Sequence, residues 1–155
     1  MTPSSIRSVI VSERILRIKD MMGRINSLPL QSFEEFISDP RNPAAAESYL
    51  RRALEALLDL GRHILARSFG IAVTEYEYIA NRLVKVGVLT EEDGKLLRQM
   101  VGYRNIMVHF YHEITHRELY EICTSQLKDI ELILESFIIW LRSHPEKLDN
   151  AEYRI

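Results

Sequence analysis

"PAAAESYLRRALEALLDLGRHILARSFG", Pro43 to Gly70, decides the fold class. Strong helix formers (Ala, Leu, Glu, Arg) fill it, and Leu50, Leu54, Leu57, Leu58, Ile64 and Leu65 recur at helical spacing. The resulting apolar stripe is wide enough for the core of a helical bundle. Pro43 suits a first helical position, and Gly70 suits the left-handed residue that ends a helix.

The flanking segments carry the same period. Upstream, Ile6, Val9, Ile10, Ile15, Ile18, Met22 and Ile25 alternate with charged residues and predict one amphipathic helix from Ser5 to about Ile25. In the connector "SLPLQSFEEFISDPRNP", Ser32-x-x-Glu35 is a capping box for a short helical turn that Pro40 stops. Downstream, Thr74-x-x-Glu77 predicts a cap for "EYEYIANRLVKV", which Gly87 ends, and Thr90-Glu91-Glu92-Asp93 opens a further helix. The last element is "RELYEICTSQLKDIELILESFIIWLRSH", with Leu119, Ile122, Leu127, Ile130, Leu134, Phe137, Ile138 and Leu141 facing a core. Three or four long helices with short connections predict an all-α, up-and-down bundle. Its expected extent is residues 1–145, with an unassigned tail at 146–155.

A chain of 155 residues is long enough for one domain with its own core, and 46% hydrophobic against 27% charged residues is not the composition of a disordered chain. Net charge of −2 argues against coating nucleic acid through bulk positive charge, and Arg51, Arg52, Arg62 and Arg67 are the candidates for a local basic field. Cys123 is the one cysteine, which excludes an intrachain disulfide, fits a reducing cytoplasm and predicts a small buried side chain. The first twenty residues lack the apolar run of a signal peptide. The longest apolar stretch, Phe137 to Leu141, is far short of a membrane span.

Two overlapping patterns lie in "YRNIMVHFYHEITH", Tyr103 to His116. His112-Glu113-x-x-His116 spells the zinc-protease helix, which requires both histidines one turn apart on a continuous helix, with Glu135 as a candidate third ligand. Thr115-x-x-Glu118 is itself a capping box, so the last helix is expected to start between the two histidines and separate them. Arg104 and His109 form the other pattern. A guanidinium beside an imidazole suits phosphoryl chemistry: the imidazole moves a proton near neutral pH, and the guanidinium offsets charge on phosphate oxygens. Asn105 is a candidate to orient the imidazole or hold a phosphate. On spacing alone, a histidine at a helix end and a solvated arginine are the favoured explanation of the pair.

The residues Arg104, Asn105, His109 and Tyr111 resemble the R-x-x-x-x-H-x-Y signature of HEPN-domain proteins in their HepT-like form. The likeness extends upstream through "SYLRRALEALLDLGRHILARSFGI" and "GVLTEED" and covers roughly residues 44–142. It implies a bundle that dimerises through the motif-bearing helices, working as a metal-independent ribonuclease toxin with no cofactor. His109 would be the acid or base, Arg104 the transition-state stabiliser and Asn105 a supporting residue.

The same resemblance implies an RNA substrate, cut by attack of its 2′-hydroxyl, and an MNT-type nucleotidyltransferase antitoxin as partner, with Tyr111 as the acceptor of AMP groups that block the cleft. Asp59 and His63, one turn apart on the long helix, are candidate supports for Arg104 or His109. A non-catalytic module that binds nucleotide or partner is the alternative function.

Overall fold

The computed structural model describes residues 2–109, 114–149 and 155. Among them run seven α-helices: α1 (Ser8–Asn26), α2 (Phe33–Ile37), α3 (Arg41–Phe69), α4 (Ile79–Lys85), α5 (Glu91–His109), α6 (His116–Ser125) and α7 (Leu127–Ser143). Short 3-10 turns at Tyr76–Tyr78 and Pro145–Lys147 complete the regular structure. No strand is present among the described residues, and the all-α bundle expected from the periodicity is what forms.

The long helix is the axis of the bundle. Leu50, Leu54, Leu57, Leu58, Ile64 and Leu65 are all buried, and α3 packs against every other helix, most extensively α1. Gly70 ends it in the left-handed conformation, φ 65°, with its N–H on the Ala66 carbonyl. Gly61 permits close approach from three sides: a Cβ there would stand 2.9 Å from Leu83 Cδ1 and 3.2 Å from both Ile79 Cγ2 and Phe137 Cζ. A side chain at position 61 would force apart the seam where α4 and α7 meet α3.

Three of the predicted caps form. The backbone N–H of Glu35 bonds the Ser32 hydroxyl at 3.1 Å, that of Asp93 bonds Thr90 at 3.1 Å, and that of Glu118 bonds Thr115 at 3.0 Å. The predicted Thr74 cap does not form. Glu75 stands at the cap position, without a side-chain bond, and the chain makes a 3-10 turn before α4 begins at Ile79. Pro43 lies in the third position of α3, because the helix starts already at Arg41.

Two other boundaries differ from expectation. Helix α1 starts at Ser8, since Ile6 lies in an extended segment paired with Leu148: its N–H bonds the Lys147 carbonyl at 2.7 Å, and its carbonyl accepts from Asp149 N–H at 2.9 Å. The shift turns Val9 outward and buries Ser8 and Val11 in its place. The stretch expected to be one final helix is broken at Gln126 (φ −119°, ψ 0°). Just before the break, the Thr124 hydroxyl bonds the Tyr120 carbonyl at 2.8 Å, a back-bond that bends helices. Pairing of Ile6 with Leu148 and Asp149 thus carries the fold past the expected boundary at residue 145.

Asp149 also caps α1 from a distance. Its carboxylate accepts from Ser8 N–H at 2.9 Å, and this bond holds its pKa below the ordinary value. Beside it, His63 Nε2 accepts from Arg7 N–H at 3.1 Å. Burial first, then the charges of Arg67, Arg14 and Arg7, push the imidazole down to about 4.

The folded protein therefore binds the His63 proton less readily than the unfolded chain, whose imidazole titrates near the ordinary value of 6.5. Stability is full above pH 6.5 and falls as the pH drops toward 4, by about 2–3 kcal/mol after allowance for partial exposure. Urea unfolding at pH 7.5 and pH 5 should show about 1–2 kcal/mol of this loss, since pH 5 lies between the two values. In His63→Gln, which cannot be protonated, the decline over that interval should be smaller.

Candidate active site

An open cleft of about 480 Å³ is lined by Arg62, Thr74, Glu75, Tyr76, Glu77, Arg104, Asn105 and His109. Its floor comes from α5, one wall from α3 and the rim from the 3-10 turn. Arg104 and His109 are five residues apart, yet both line it, His109 as the last residue of α5. His109 is exposed, whereas only 20% of the Arg104 side chain is accessible.

Arg104 is held on three sides. Its Nε donates to Glu55 Oε1 at 3.2 Å, a terminal nitrogen donates to Asn105 Oδ1 at 3.3 Å, and its guanidinium lies 4.7 Å from the centre of the Tyr76 ring. Glu55 also pairs with Arg51, Nη1 to Oε2, at 3.7 Å. Asn105 thus uses its carbonyl oxygen on Arg104 and keeps its amide N–H groups as donors.

Tyr76 is itself anchored. Its hydroxyl donates to Asp59 Oδ1 at 2.8 Å, and burial followed by that bond pushes the phenol up to about 12, so it stays protonated. Asp59 also pairs with Arg62 at 2.5 Å, and the Arg62 guanidinium sits 5.0 Å from the same ring. Asp59 therefore bears on Arg104 through Tyr76, and the carboxylate in direct contact is Glu55, one turn earlier. On the rim, a shared hydrogen bond with Glu77 raises the Glu75 pKa.

The other expected residues divide. His63 is not among the residues that line the cleft: it lies one turn beyond Asp59 and meets Arg7 at the start of α1. Among the four arginines proposed for a basic field, Arg62 lines the cleft and Arg51 supports Glu55. Arg52 instead lies over Tyr49 at 5.5 Å, and Arg67 bonds the Ser5 carbonyl at 2.8 Å. Tyr111 lies outside the described residues, as do His112 and Glu113. Cys123 is buried, with its thiol pushed up to about 12, as expected of a core side chain.

The protease pattern fails on its backbone. Thr115 is extended (φ −81°, ψ 159°) and α6 begins only at His116, so no continuous helix joins positions 112 and 116. Glu135 is an exposed residue of α7. Among the described residues, no group of three His, Cys, Asp or Glu side chains is placed to hold a metal ion.

Residues 11–137 match the family described as Ribonuclease HepT-like. The chain belongs to the HepT-like family. A relative of this HepT-like protein is the tRNA nuclease HepT of Aphanizomenon flos-aquae (strain 2012/KM1/D3), 24% identical over 147 residues, which covers 94% of this chain and 99% of the relative. The fold likewise matches solved structures. A toxin–antitoxin solved with AMP-PNP superposes with TM-score 0.75 at 23% identity, covering 83% of this chain and 97% of that one.

The tri-AMPylated HEPN toxin of Shewanella oneidensis, in complex with its MNT antitoxin, superposes with TM-score 0.74 at 24% identity, over 82% and 95% of the two chains. The cytosolic protein YutE of Bacillus subtilis, of unknown function, shares the fold at 18% identity and TM-score 0.73, over 90% and 93%. The HepT-like protein is thus a HEPN-fold member of a ribonuclease family. None of its described helices is long and apolar enough to cross a membrane.

Glu55, Tyr76 and the rim residues are the parts of the cleft that sequence reasoning missed. Glu55 carried a faint signal: it lies one turn before Asp59 on the same face of α3. Tyr76 carried none, since its role depends on where the 3-10 turn crosses α3 and α5.

Proposed function

We propose that this HepT-like protein is a metal-independent endoribonuclease toxin, controlled by an MNT-type nucleotidyltransferase antitoxin. The observation that carries the proposal is the convergence of Arg104, Asn105 and His109 on one cleft, in a chain whose family is a ribonuclease family. The 2′-hydroxyl of the substrate attacks the adjacent phosphorus. The O2′–P bond forms, the bond from phosphorus to the 5′-oxygen breaks, and the products are a cyclic phosphate and a 5′-hydroxyl. His109 removes the 2′ proton or protonates the leaving 5′-oxygen, and Arg104 offsets charge on the non-bridging oxygens. Asn105 donates its amide N–H to the phosphate. DNA lacks the nucleophile and is not a substrate.

Two supports come from the relatives. One carries the name of a tRNA nuclease, and the Shewanella oneidensis neighbour is an AMPylated toxin bound to its MNT antitoxin. In this reading, two copies of the chain dimerise with their motif helices facing each other, so that one His109 serves as base and the other as acid. Transfer of AMP to Tyr111, two residues beyond His109, adds negative charge and bulk where RNA phosphate has to sit.

Expression in bacteria tests the proposal. The wild type should arrest growth and degrade RNA, Arg104→Ala/His109→Ala should do neither, and co-expression of an MNT-type nucleotidyltransferase should restore growth and add AMP to the Tyr111 peptide. Unimpaired growth and intact RNA with the wild type alone would contradict it.

A further inference from the structure

We propose that Arg62 is a second phosphate-binding residue, taking the phosphate next to the one that is cleaved, and that Tyr76 is the positioning residue that sets the spacing of the two guanidinium groups. The inference rests on the ribonuclease reading of the cleft and adds to it a subsite for the RNA backbone.

Both guanidinium groups lie against one aromatic ring, Arg104 at 4.7 Å and Arg62 at 5.0 Å from its centre. That places them within about 10 Å of each other, a span that neighbouring phosphates of an extended strand can bridge. Each is also fixed by a carboxylate of α3: Glu55 holds Arg104 at 3.2 Å and Asp59 holds Arg62 at 2.5 Å. The ring is locked in turn by its hydroxyl on Asp59. Arg62, Tyr76 and Arg104 thus form one rigid unit with its charges on the wall of the cleft.

Arg62 ties the 3-10 segment to α3 and still has donors to spare. Its bonds go to Asp59 and to the Thr74 carbonyl at 3.3 Å, which leaves donors on a fork of five N–H groups, and 35% of the side chain is accessible. An arginine needed only to neutralise Asp59 would gain nothing from lining a cleft. A fixed fork facing that cleft is what bidentate phosphate contact requires.

The clamp has a length signature. An RNA dinucleotide contains one phosphate and engages only Arg104, whereas an oligonucleotide engages both arginines. Arg62→Ala should raise KM for a ten-residue RNA about tenfold more than for a dinucleotide, while the kcat values fall less than the KM values rise. Tyr76→Phe keeps the ring and should act mildly, whereas Tyr76→Leu removes the platform and should lower kcat on both substrates. Circular dichroism verifies the fold of each variant.

Binding of a fluorescent single-stranded DNA of the same length, read by anisotropy, measures the clamp apart from catalysis, and Arg62→Ala should weaken it about tenfold. Equal losses on dinucleotide and oligonucleotide, or unchanged DNA binding, would overturn the clamp even if the wild type cleaves RNA. A wild type that binds DNA through Arg62 but cleaves no RNA would overturn the ribonuclease reading and leave the anion clamp standing.

Discussion

His109→Ala should lower RNA cleavage by about a hundredfold to ten-thousandfold, the range that a positioned general acid or base contributes. The expectation comes from where the imidazole stands. His109 is the exposed last residue of α5, on the cleft that also contains Arg104 and Asn105. Its removal takes no packing from the core, so the thermal midpoint should barely move while activity collapses. Full activity in the variant would mean that another group moves the proton.

Arg104→Ala should cost about a hundredfold to a thousandfold, mainly in kcat, because the lost charge acts on the transition state more than on bound substrate. Truncation also leaves Glu55, 26% accessible, without its α5 partner, although Arg51 remains beside it. The companion change is Glu55→Gln, which keeps the size of the side chain but removes the charge that orients Arg104. Its loss should be smaller, about tenfold, with the fold intact. A Glu55→Gln variant as impaired as Arg104→Ala would assign the carboxylate a direct part in the reaction. Single-turnover kinetics on one RNA oligonucleotide separates the cases.

Much of the scaffold was legible because it is local. The stripe of α3, the left-handed Gly70 and the caps at Ser32, Thr90 and Thr115 each depend on residues within a few positions of one another. The cap at Thr115 also removed the protease pattern, since it fixed the start of α6. What sequence did not disclose depends on distant partners. Helix α1 begins at Ser8 because Ile6 pairs with Leu148 and Asp149 bonds the Ser8 N–H, contacts that span more than 140 residues. The break at Gln126 coincides with side-chain packing against α5, where the Tyr103 hydroxyl donates to Oε1 of the Gln126 side chain.

The site divides in the same way. Arg104, Asn105 and His109 are close in sequence and could be read as a group. Asp59 was placed correctly on α3, but its effect on Arg104 passes through Tyr76, and Glu55 makes the direct contact. His63 lies one turn beyond Asp59, yet its neighbour there is the Arg7 backbone at the start of α1 and not the cleft. Helical spacing places a residue on a face. It does not say which neighbour covers that face.

The most direct measurement is the chemistry of the cut ends. Purified wild-type protein is incubated in EDTA with an RNA oligonucleotide and with the same strand carrying a 2′-deoxy sugar at the scissile position. The account predicts a 2′,3′-cyclic phosphate and a 5′-hydroxyl from the RNA, and no cleavage at the deoxy position. Cutting of the deoxy strand at an equal rate, or products ending in a 5′-phosphate, would contradict it.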